Sequence, residues 1–326
     1  MRSWVLLCLC CFLAISTQAD TITLRPSFNK SEFPIYLGAI IDPSYLAQAD
    51  EVAALFEANE ATIIKEKKVN FGYNKAAYWF YAALQNSSTT DMQVVVSLEN
   101  PNIDSVSFFA NYGYGFKKEA DAGDHVPYHQ WQIATRQPAY RVTVRAGETL
   151  PVMIRARNSY SGNMILPIQI WEYNHFASYQ QGYHLSWGLY FGFLLINIAL
   201  AFSAIVLLRA NIFIWYGLFL TASLVYSFIS FGFMYQFITG SLPATNDVLR
   251  TYALLLISIL MLRFSQVFLK SKEVIPTVHH IITTIIWIEL LFLVSSFFIL
   301  QTFRTNFNQI FPWFLTLIFG GYALIL

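Results

Sequence analysis

Residues 185–208 have the sequence LSWGLYFGFLLINIALAFSAIVLL, which contains no acidic or basic side chain. A helix needs about 20 mainly apolar residues to cross the hydrocarbon core of a bilayer, so this stretch is long enough to span one. Comparable apolar segments follow at about 212–234, 249–269 and 280–300, and a fifth begins at about 310. Residues 184–326 are therefore predicted to be a bundle of transmembrane helices in contact with membrane lipid.

The composition supports a membrane protein that also has a more polar part. Of the 326 residues, 56% are hydrophobic and 12% are charged, against about 25% charged in a soluble domain. A chain this poor in charge is neither wholly soluble nor disordered, and a net charge of +1 gives no basic surface for nucleic acid. Most charged residues precede about residue 180, so two parts of different composition join near that point.

The first 19 residues are predicted to be a secretory signal peptide. Arg2 precedes an apolar run from residue 4 to residue 15, and small side chains at Thr17 and Ala19 form a cleavage motif before Asp20. An uncleaved anchor is the alternative, although the run is short for a membrane span. No disulfide is expected in the mature protein, because all the cysteines lie in this segment: Cys8, Cys10 and Cys11.

Residues 20–178 are predicted to form an exported β-sandwich. Short segments rich in β-branched and aromatic residues alternate with Gly, Pro, Asn and Asp, a pattern typical of antiparallel sandwiches. A helix is predicted over 45–56, where apolar residues recur at helical spacing. The order of the strands stays open at this point. The predicted strands are 35–41, 78–84, 92–98, 106–109, 141–145, 152–157 and 165–171.

The charged residues between the apolar segments predict how the chain is oriented in the membrane. The signal peptide places residues 20–178 outside the cytoplasm, which puts Arg209, Lys270 and Lys272 in inner loops, in agreement with the positive-inside tendency. The chain ends at Leu326 inside the fifth apolar segment, where an end is physically unfavourable. We therefore expect the sequence to be truncated, with further helices missing.

Short motifs in both parts of the chain carry a family resemblance. In the exported part they include IDPS at 41–44, AYWF at 77–80, LENP at 98–101 and RARNS at 155–159. In the membrane part they include GLYFG at 188–192, Asn197 and Trp215–Tyr216. With these motifs in this order, the chain resembles the bacterial seven-transmembrane receptors with diverse intracellular signalling modules, in the form that has the second type of extracellular domain.

This resemblance implies an architecture and a cellular location. It implies a jelly-roll extracellular domain similar to carbohydrate-binding modules, followed by seven helices, of which five are present. It implies a cytoplasmic output module of histidine kinase or diguanylate cyclase type. It also implies a bacterial inner-membrane protein whose N-terminal domain lies in the periplasm.

A face that binds a sugar needs flat aromatic rings and planar polar groups, and the exported part offers both. Aromatic residues crowd the Gly-rich region around residue 113, and arginines follow in the later strands. The alternative is that half of the rings pack in the sandwich core and that the arginines lie on solvated strand edges. The predicted ligand-binding residues are Tyr112, Tyr114, Tyr128, Trp131, Arg136, Arg141, Arg155 and Arg157.

No metal or cofactor is predicted from the sequence. His125, His129, Asp121 and Asp124 could ligate a metal, but their spacing matches no known zinc motif, and a solvated loop is the simpler interpretation. The adjacent pair His279–His280 is interpreted as polar residues at the membrane edge.

Among the polar residues of the predicted membrane helices, the sequence argument singles out Asn197, Arg263 and Glu289. An unpaired charge costs several kcal/mol there, and the helical rise places Arg263 and Glu289 at similar depths. We therefore hypothesise a buried contact between these two residues. A hydroxyl group from Thr283 or Ser295 is the alternative partner for Glu289. Asn197 is expected to form a hydrogen bond across a helix interface.

The sequence contains no phosphate-binding loop, no nucleophile elbow and no HExxH zinc helix, so this portion is predicted not to be an enzyme. The first interpretation is a sensory receptor, working as a homodimer, whose exported domain binds a carbohydrate-like or other small ligand. The alternative is a transporter or a membrane subunit of an envelope complex, with Arg263 and Glu289 lining a polar path.

Overall fold

The structure, a computed structural model, describes residues 21–32, 39–58, 60–62, 70–72, 75–158 and 164–296. Several predicted features lie outside these residues. They are the signal peptide at 1–19, part of the first predicted strand at 35–41, the last residues of the fourth predicted helix and the apolar segment that begins at about 310.

The N-terminal part of the described chain consists of two β-sheets. The first sheet has the order β1-β4-β9-β6-β7, with β3 also paired to β4, and the second has the order β2-β10-β5-β8. All the pairings are antiparallel except that of β1 with β4. The strands are β1 (Thr21–Leu24), β2 (Lys30–Glu32), β3 (Ile40–Asp42), β4 (Ala77–Asn86), β5 (Met92–Leu98), β6 (Ser105–Asn111), β7 (Phe116–Ala122), β8 (Ala139–Val144), β9 (Thr149–Arg157) and β10 (Ile168–Glu172).

The core between the sheets follows from the alternation of side chains along the strands. In β6 and β8 alternate residues are buried, and their rings meet where Phe108 stacks on Tyr140 with centroids 5.4 Å apart. Strand β4 is buried on both faces, because helix α1 (Ala49–Glu57) covers its outer face. Trp79 packs there against Val52 and is buried.

The predicted strands within the described residues are present, and three further strands were not predicted. Strands β1 and β2 are short, and the sequence of β7, FKKEADA, lacks apolar alternation because most of its side chains face solvent. The helix predicted over 45–56 begins only at Ala49. Asp42 accepts hydrogen bonds from the backbone N–H groups of Ser44, Tyr45 and Ala47, which holds the preceding residues in a turn.

Four helices of the described chain are long and apolar enough to cross a membrane. They pack in sequence order, α2 on α3, α3 on α4 and α4 on α6, and a single-turn helix α5 (Ser271–Val274) connects α4 to α6. The four are α2 (Tyr173–Leu208), α3 (Asn211–Ser230), α4 (Thr245–Phe268) and α6 (Pro276–Ser296).

Helix α2 begins well before the predicted membrane span at 185–208. It follows β10 directly, and the side chain of its N-cap Glu172 accepts a hydrogen bond from the N–H of His175. Phe176 and Tyr179 of its first turns pack on Trp171, with ring centroids 6.2 and 4.7 Å apart. Residues 173–178, which the sequence assigned to the sandwich, are therefore helical, and the last strand runs into the first membrane helix without a flexible linker.

The connection from α3 to α4, residues 231–244, differs from the sequence prediction. Helix α3 ends at Ser230 rather than near 234, because Gly232 takes a left-handed backbone conformation with φ +83°. A π-helical turn at Tyr235–Thr239 follows. We call residues 231–244 the α3–α4 connection.

Candidate functional site

The α3–α4 connection is inserted into the sandwich. The side chain of Tyr235 is 2% exposed and belongs to the same apolar core as Tyr140 and Ile154 of the sheets. Its hydroxyl group donates a hydrogen bond to the backbone carbonyl of Val126 at 2.6 Å. The core of the extracellular part therefore includes a ring contributed by the membrane part.

Backbone hydrogen bonds hold the same connection in place. The N–H of Tyr128 donates to the carbonyl of Gly240 at 2.8 Å, and the N–H of Ala244 donates to the carbonyl of Asp124 at 2.9 Å. A Cβ atom at Gly232 would lie 2.6 Å from the carbonyl oxygen of Arg136, so only glycine permits this approach. We call the contact between the sandwich and the α3–α4 connection, together with the first turn of α4, the junction.

Four ionisable side chains meet at the junction: Asp104, Asp124, His125 and Asp247. One ligand atom from each lies within 4.8 Å of the others. The Nε2 atom of His125 is 2.9 Å from Oδ2 of Asp247, 3.5 Å from Oδ1 of Asp104 and 3.9 Å from Oδ1 of Asp124. These are oxygen and nitrogen donors of the kind that bind divalent cations.

The fold brings these residues together from three places in the chain. Asp104 lies just before β6, Asp124 and His125 follow β7, and Asp247 is in the first turn of α4. Between β7 and Asp124, Gly123 has a φ of +126°, and a Cβ atom there would collide with the backbone of Asp104. The glycine thus allows the two ends of the β6–β7 hairpin to approach closely.

Burial makes the electrostatics of this cluster unusual. All three aspartates are at most 2% exposed, and Asp124 is fully buried. Burial raises the pKa of Asp124 well above its ordinary value of 3.8, and the charges of Asp247 and Asp104 raise it further. Burial acts to lower the pKa of His125, but its hydrogen bond with Asp247 and the charges of the aspartates outweigh burial and raise the pKa to about 9.

Two further polar residues border the cluster. Arg250 donates a hydrogen bond from Nη2 to Oδ1 of Asp247 at 3.1 Å. The carboxamide of Asn246, which is fully buried, lies with Nδ2 3.5 Å from Oδ2 of Asp124 and 3.3 Å from Oδ1 of Asn102. The junction therefore combines a buried polar cluster with the apolar contact made by Tyr235.

Two family models match the chain, and together they cover most of it. The model described as 7TMR-DISM extracellular 2 matches residues 35–172, and the model described as 7TM diverse intracellular signalling matches residues 183–326. The chain belongs to the 7TMR-DISM family. No curated protein matches the sequence.

Membership of the 7TMR-DISM family confirms the resemblance seen in the sequence, and the sheets followed by apolar helices confirm the predicted fold class. The protein is a membrane sensory receptor that crosses the membrane several times and has an extracellular N-terminal domain. The two matched domains are receptor domains rather than catalytic ones.

The structure separates the eight predicted ligand-binding residues of this 7TMR-DISM receptor into three groups. The first group, Tyr128, Trp131 and Arg136, lies at the junction. The rings of Tyr128 and Trp131 pack on Tyr235 with centroids 6.1 and 5.9 Å apart. Arg136 is 6% exposed, and its Cζ atom lies 3.8 Å from the ring centroid of Tyr183 in α2. These side chains join the sandwich to the helices rather than forming an open face.

The second group, Tyr112, Tyr114 and Arg141, lines an open groove of about 1050 Å³. The two tyrosines occupy the turn between β6 and β7, where Tyr112 is 54% and Tyr114 is 100% exposed. Glu119 and Gln132 also line the groove. This group therefore offers the flat aromatic rings and planar polar groups that a sugar-binding face needs.

The third group, Arg155 and Arg157, lies along β9 and supports the turn before α1. Nη2 of Arg155 donates to the carbonyl of Tyr45 at 2.9 Å, and the Cζ atom of Arg157 lies 4.0 Å from the Tyr45 ring centroid. The strand register places these two arginines away from the groove. Arg155 pairs with Trp79 of β4 and Ser107 of β6 in the middle of the first sheet.

The four residues that the sequence analysis considered as possible metal ligands do not all lie together in the structure. Asp124 and His125 belong to the junction cluster, whereas His129 is exposed. Asp121 instead accepts hydrogen bonds from Ser107 at 2.6 Å and Lys118 at 2.7 Å. The sequence reasoning missed Asp104 and Asp247. The sequence did contain one indication of this cluster, because Asp247 is one of the few acidic residues in the membrane half.

The intramembrane polar residues have partners other than those predicted. The hypothesised Arg263–Glu289 contact is wrong, because Glu289 accepts a hydrogen bond from Ser258 at 2.7 Å, whereas Arg263 donates to Gln266 at 2.9 Å. The hydroxyl partner of Glu289 is thus neither Thr283 nor Ser295. Asn197 donates to the carbonyl of Phe193 in its own helix rather than across an interface. In the described helices, Arg263 and Glu289 do not form the joint polar path that the transporter alternative requires.

Proposed function

We propose that this 7TMR-DISM receptor binds a small hydroxyl-rich ligand, such as a carbohydrate, in the groove beside Tyr114 and transmits binding through the junction to its helices. The output is a cytoplasmic module of histidine kinase or diguanylate cyclase type, and the sandwich faces the periplasm of a bacterial inner membrane. The observation that carries the proposal is the insertion of Tyr235 into the sandwich core.

The junction supports mechanical coupling because the two parts are joined at two places. Strand β10 continues into α2, and the α3–α4 connection is held by Tyr235 and by backbone hydrogen bonds. A change in the position of the sandwich strands must therefore move α2, α3 and α4 together or break these contacts. A ligand drives such a change only through a difference in its affinity for the two packings of the bundle.

The β6–β7 hairpin links the groove to the junction. Its turn carries Tyr112 and Tyr114, whereas its open end carries Asp104 and Asp124. Each strand has seven residues, which corresponds to about 23 Å at about 3.3 Å per residue. A ligand that displaces the turn thus acts on one end of an element whose other end contacts α4.

The chemistry of the groove supports a carbohydrate-like ligand. Tyrosine rings stack on the apolar faces of sugar rings, and their hydroxyl groups remain free to hydrogen-bond. Arg141 and Glu119 add planar polar groups that can bind several hydroxyls of one ligand, and the carboxamide of Gln132 holds the backbone of Arg141 through hydrogen bonds of 2.6 and 3.2 Å. The homodimer expected from the sequence stays a prediction.

Ligand binding is tested on the full chain in lipid nanodiscs. A glycan array identifies a binding sugar, and its affinity is then measured for Tyr114→Ala/Arg141→Ala and for Arg25→Ala, a control whose arginine is exposed and lies outside the groove. We expect at least a 10-fold loss in the groove variant and no change in the control. Equal affinities in the two variants would place the ligand elsewhere.

Coupling is tested with spin labels at Asn211→Cys and Lys272→Cys, near the inner ends of α3 and α4. We expect the sugar to change the distance between the labels. Tyr235→Ala should abolish this change while sugar binding persists, and the exposed neighbour Phe237→Ala should retain it. An unchanged response in Tyr235→Ala would contradict coupling through the junction.

The output is tested in membranes that contain the complete receptor. Addition of the sugar is expected to change ATP-dependent histidine phosphorylation or cyclic dinucleotide formation. A receptor that binds the sugar and alters neither product would contradict the proposed outputs.

A further inference from the structure

We infer that Asp104, Asp124, His125 and Asp247 form a binding site for a divalent cation of the Mn²⁺ or Zn²⁺ class, which ties the extracellular sandwich to helix α4. This inference goes beyond the proposed function and does not depend on it, because the positions and burial of the four donor side chains hold whether or not a ligand binds in the groove.

The spacing of the donor atoms fits a metal ion. All four ligand atoms lie within 4.8 Å of one another, and the shortest separation is 2.9 Å between His125 and Asp247. With bonds of about 2.0–2.2 Å, two ligands of one ion lie about 3.3–3.6 Å apart in tetrahedral coordination and about 4.0–4.4 Å apart when they are opposite each other in octahedral coordination. The widest pair, within 4.8 Å, therefore needs to close by about 0.4–0.8 Å for an octahedral ion and by about 1.2–1.5 Å for a tetrahedral one, which side-chain rotation can supply.

Unsatisfied buried atoms beside the cluster point independently to a ligand. Among the described residues, Oδ1 of Asn246 has no hydrogen-bond partner, although this side chain is fully buried and its amide faces Asp124. The fully buried Oδ1 of Asp124 also has no hydrogen-bond partner there. A buried polar atom without a partner is unfavourable, and a cation with a bound water can satisfy both atoms.

The placement of the donor atoms also suits a cation. Three buried aspartate side chains surround Nε2 of His125, and Arg250 contacts one of them, Asp247. Arg250 engages Oδ1 of Asp247, which leaves Oδ2 directed to the cluster. This arrangement is typical of a metal ligand that is oriented by a neighbouring group.

The donor set selects the class of cation. Three carboxylate oxygens and one imidazole nitrogen suit ions that accept both kinds of ligand, such as Mn²⁺ and Zn²⁺. Ca²⁺ favours six to eight oxygen ligands, so the imidazole makes it less suitable.

The position of the site gives it a structural consequence. Asp104, Asp124 and His125 belong to the ends of the β6–β7 hairpin, whereas Asp247 belongs to α4. The site is therefore complete only while the sandwich is docked on the helices. Since the ion binds the docked arrangement and not the separated one, it stabilises the junction.

Metal binding is tested on the full chain in nanodiscs after treatment with EDTA. Titration with Mn²⁺, followed by the loss of the free-ion EPR signal, and calorimetry with Zn²⁺ are each expected to give one ion per chain. Pulsed EPR of bound Mn²⁺ in the wild-type protein is expected to show the nitrogen modulation of a coordinated imidazole. Absence of a stoichiometric site for both ions, or tight binding of Ca²⁺ alone, would overturn the inference.

Paired variants of the same loop locate the site. We expect Asp124→Asn and His125→Ala to weaken binding at least 10-fold and His125→Ala to remove the nitrogen modulation. Asp121→Asn and His129→Ala, which change the same residue types outside the cluster, should bind as the wild type does. Equal binding by both pairs would overturn the assignment, and the wild-type nitrogen signal decides the question even where a variant fails to fold.

Discussion

The two ends of the β6–β7 hairpin present opposite surfaces. At its turn, Tyr112 and Tyr114 are exposed and line an open groove, whereas at its other end Asp104 and Asp124 are buried against the membrane part. The same kinds of residue serve different purposes at the two ends. At the turn Tyr114 is fully exposed to solvent, whereas at the junction Tyr128 and Tyr235 pack against other rings. Residue type alone therefore does not identify a ligand site in this receptor.

The largest effect is expected from Tyr235→Ala, which tests whether the junction is part of the sandwich core. Removal of a buried ring and of its hydrogen bond to Val126 should destabilise the sandwich by about 3–5 kcal/mol. Hydrogen exchange of the β6 and β9 amides in the intact receptor measures this loss. Phe237→Ala, two residues along the same connection and 63% exposed, should cost less than about 1 kcal/mol. Similar losses in both variants would contradict the special position of Tyr235.

A smaller effect is expected from Gly232→Ala, which tests the close approach at the junction. The new Cβ atom would meet the carbonyl of Arg136, and alanine is strained at φ +83°, so we expect a loss of about 2 kcal/mol or more in thermal unfolding. Gly192→Ala in α2 is the matched control, because nothing lies within 4 Å of the added atom. A Gly232→Ala protein as stable as the control would show that residue 232 and the carbonyl of Arg136 are not in close contact.

Asp42 offers a contrast with Asp124, because its buried carboxylate is satisfied within its own turn. Burial acts to raise the pKa of Asp42, but hydrogen bonds from Ser44, Ala47 and Tyr45 outweigh burial and lower the pKa below the ordinary 3.8. The stabilisation is therefore present above the ordinary pKa and is lost as the pH falls through the lowered pKa.

Asp42→Asn should accordingly cost about 1–2 kcal/mol near pH 7, since the carboxylate hydrogen bonds are weakened. The difference from the wild type should shrink as the pH falls below about 4, because protonation removes the same interaction. Thermal unfolding at a series of pH values measures both quantities. A difference that does not depend on pH would show that the charge of Asp42 is unimportant.

The smallest effect on stability is expected from Tyr114→Ala. Its ring is fully exposed, so the unfolding free energy should change by less than about 0.5 kcal/mol. Thermal unfolding checks this value, and Tyr128→Ala, which removes a half-buried ring at the junction, should be clearly less stable. Equal losses of unfolding free energy in Tyr114→Ala and Tyr128→Ala would contradict the difference in packing between the turn and the junction.

Much of the fold was predictable because its signals are local. Strand β5 lies at the predicted residues 92–98, and the four described membrane helices were recognised from their apolar length. Strand β7 was missed because its side chains are mostly polar and its position depends on pairing with β6. The start of α2 was missed because residues 173–184 are too polar to resemble a membrane span.

The candidate site was predictable only in part. Asp124 and His125 are neighbours in the chain and were considered together, but the sequence offered Asp121 and His129 as their companions. The true neighbour Asp247 lies 122 residues beyond His125, and no spacing rule connects them. Arg136 was predicted to bind a ligand, but its guanidinium group packs on the ring of Tyr183 in α2. The sequence alone does not reveal this contact.

The amino-acid sequence by itself determined the family, the two-part architecture and the crossing of the membrane, because apolar length and strand alternation act over about 5–20 neighbouring residues. Only the tertiary structure decided that Tyr235 of the membrane part completes the core of the sandwich, and that three aspartates and a histidine meet at the junction. Those contacts depend on strand order and on the docking of a distant connection, and both are set by the burial of apolar surface from the whole chain.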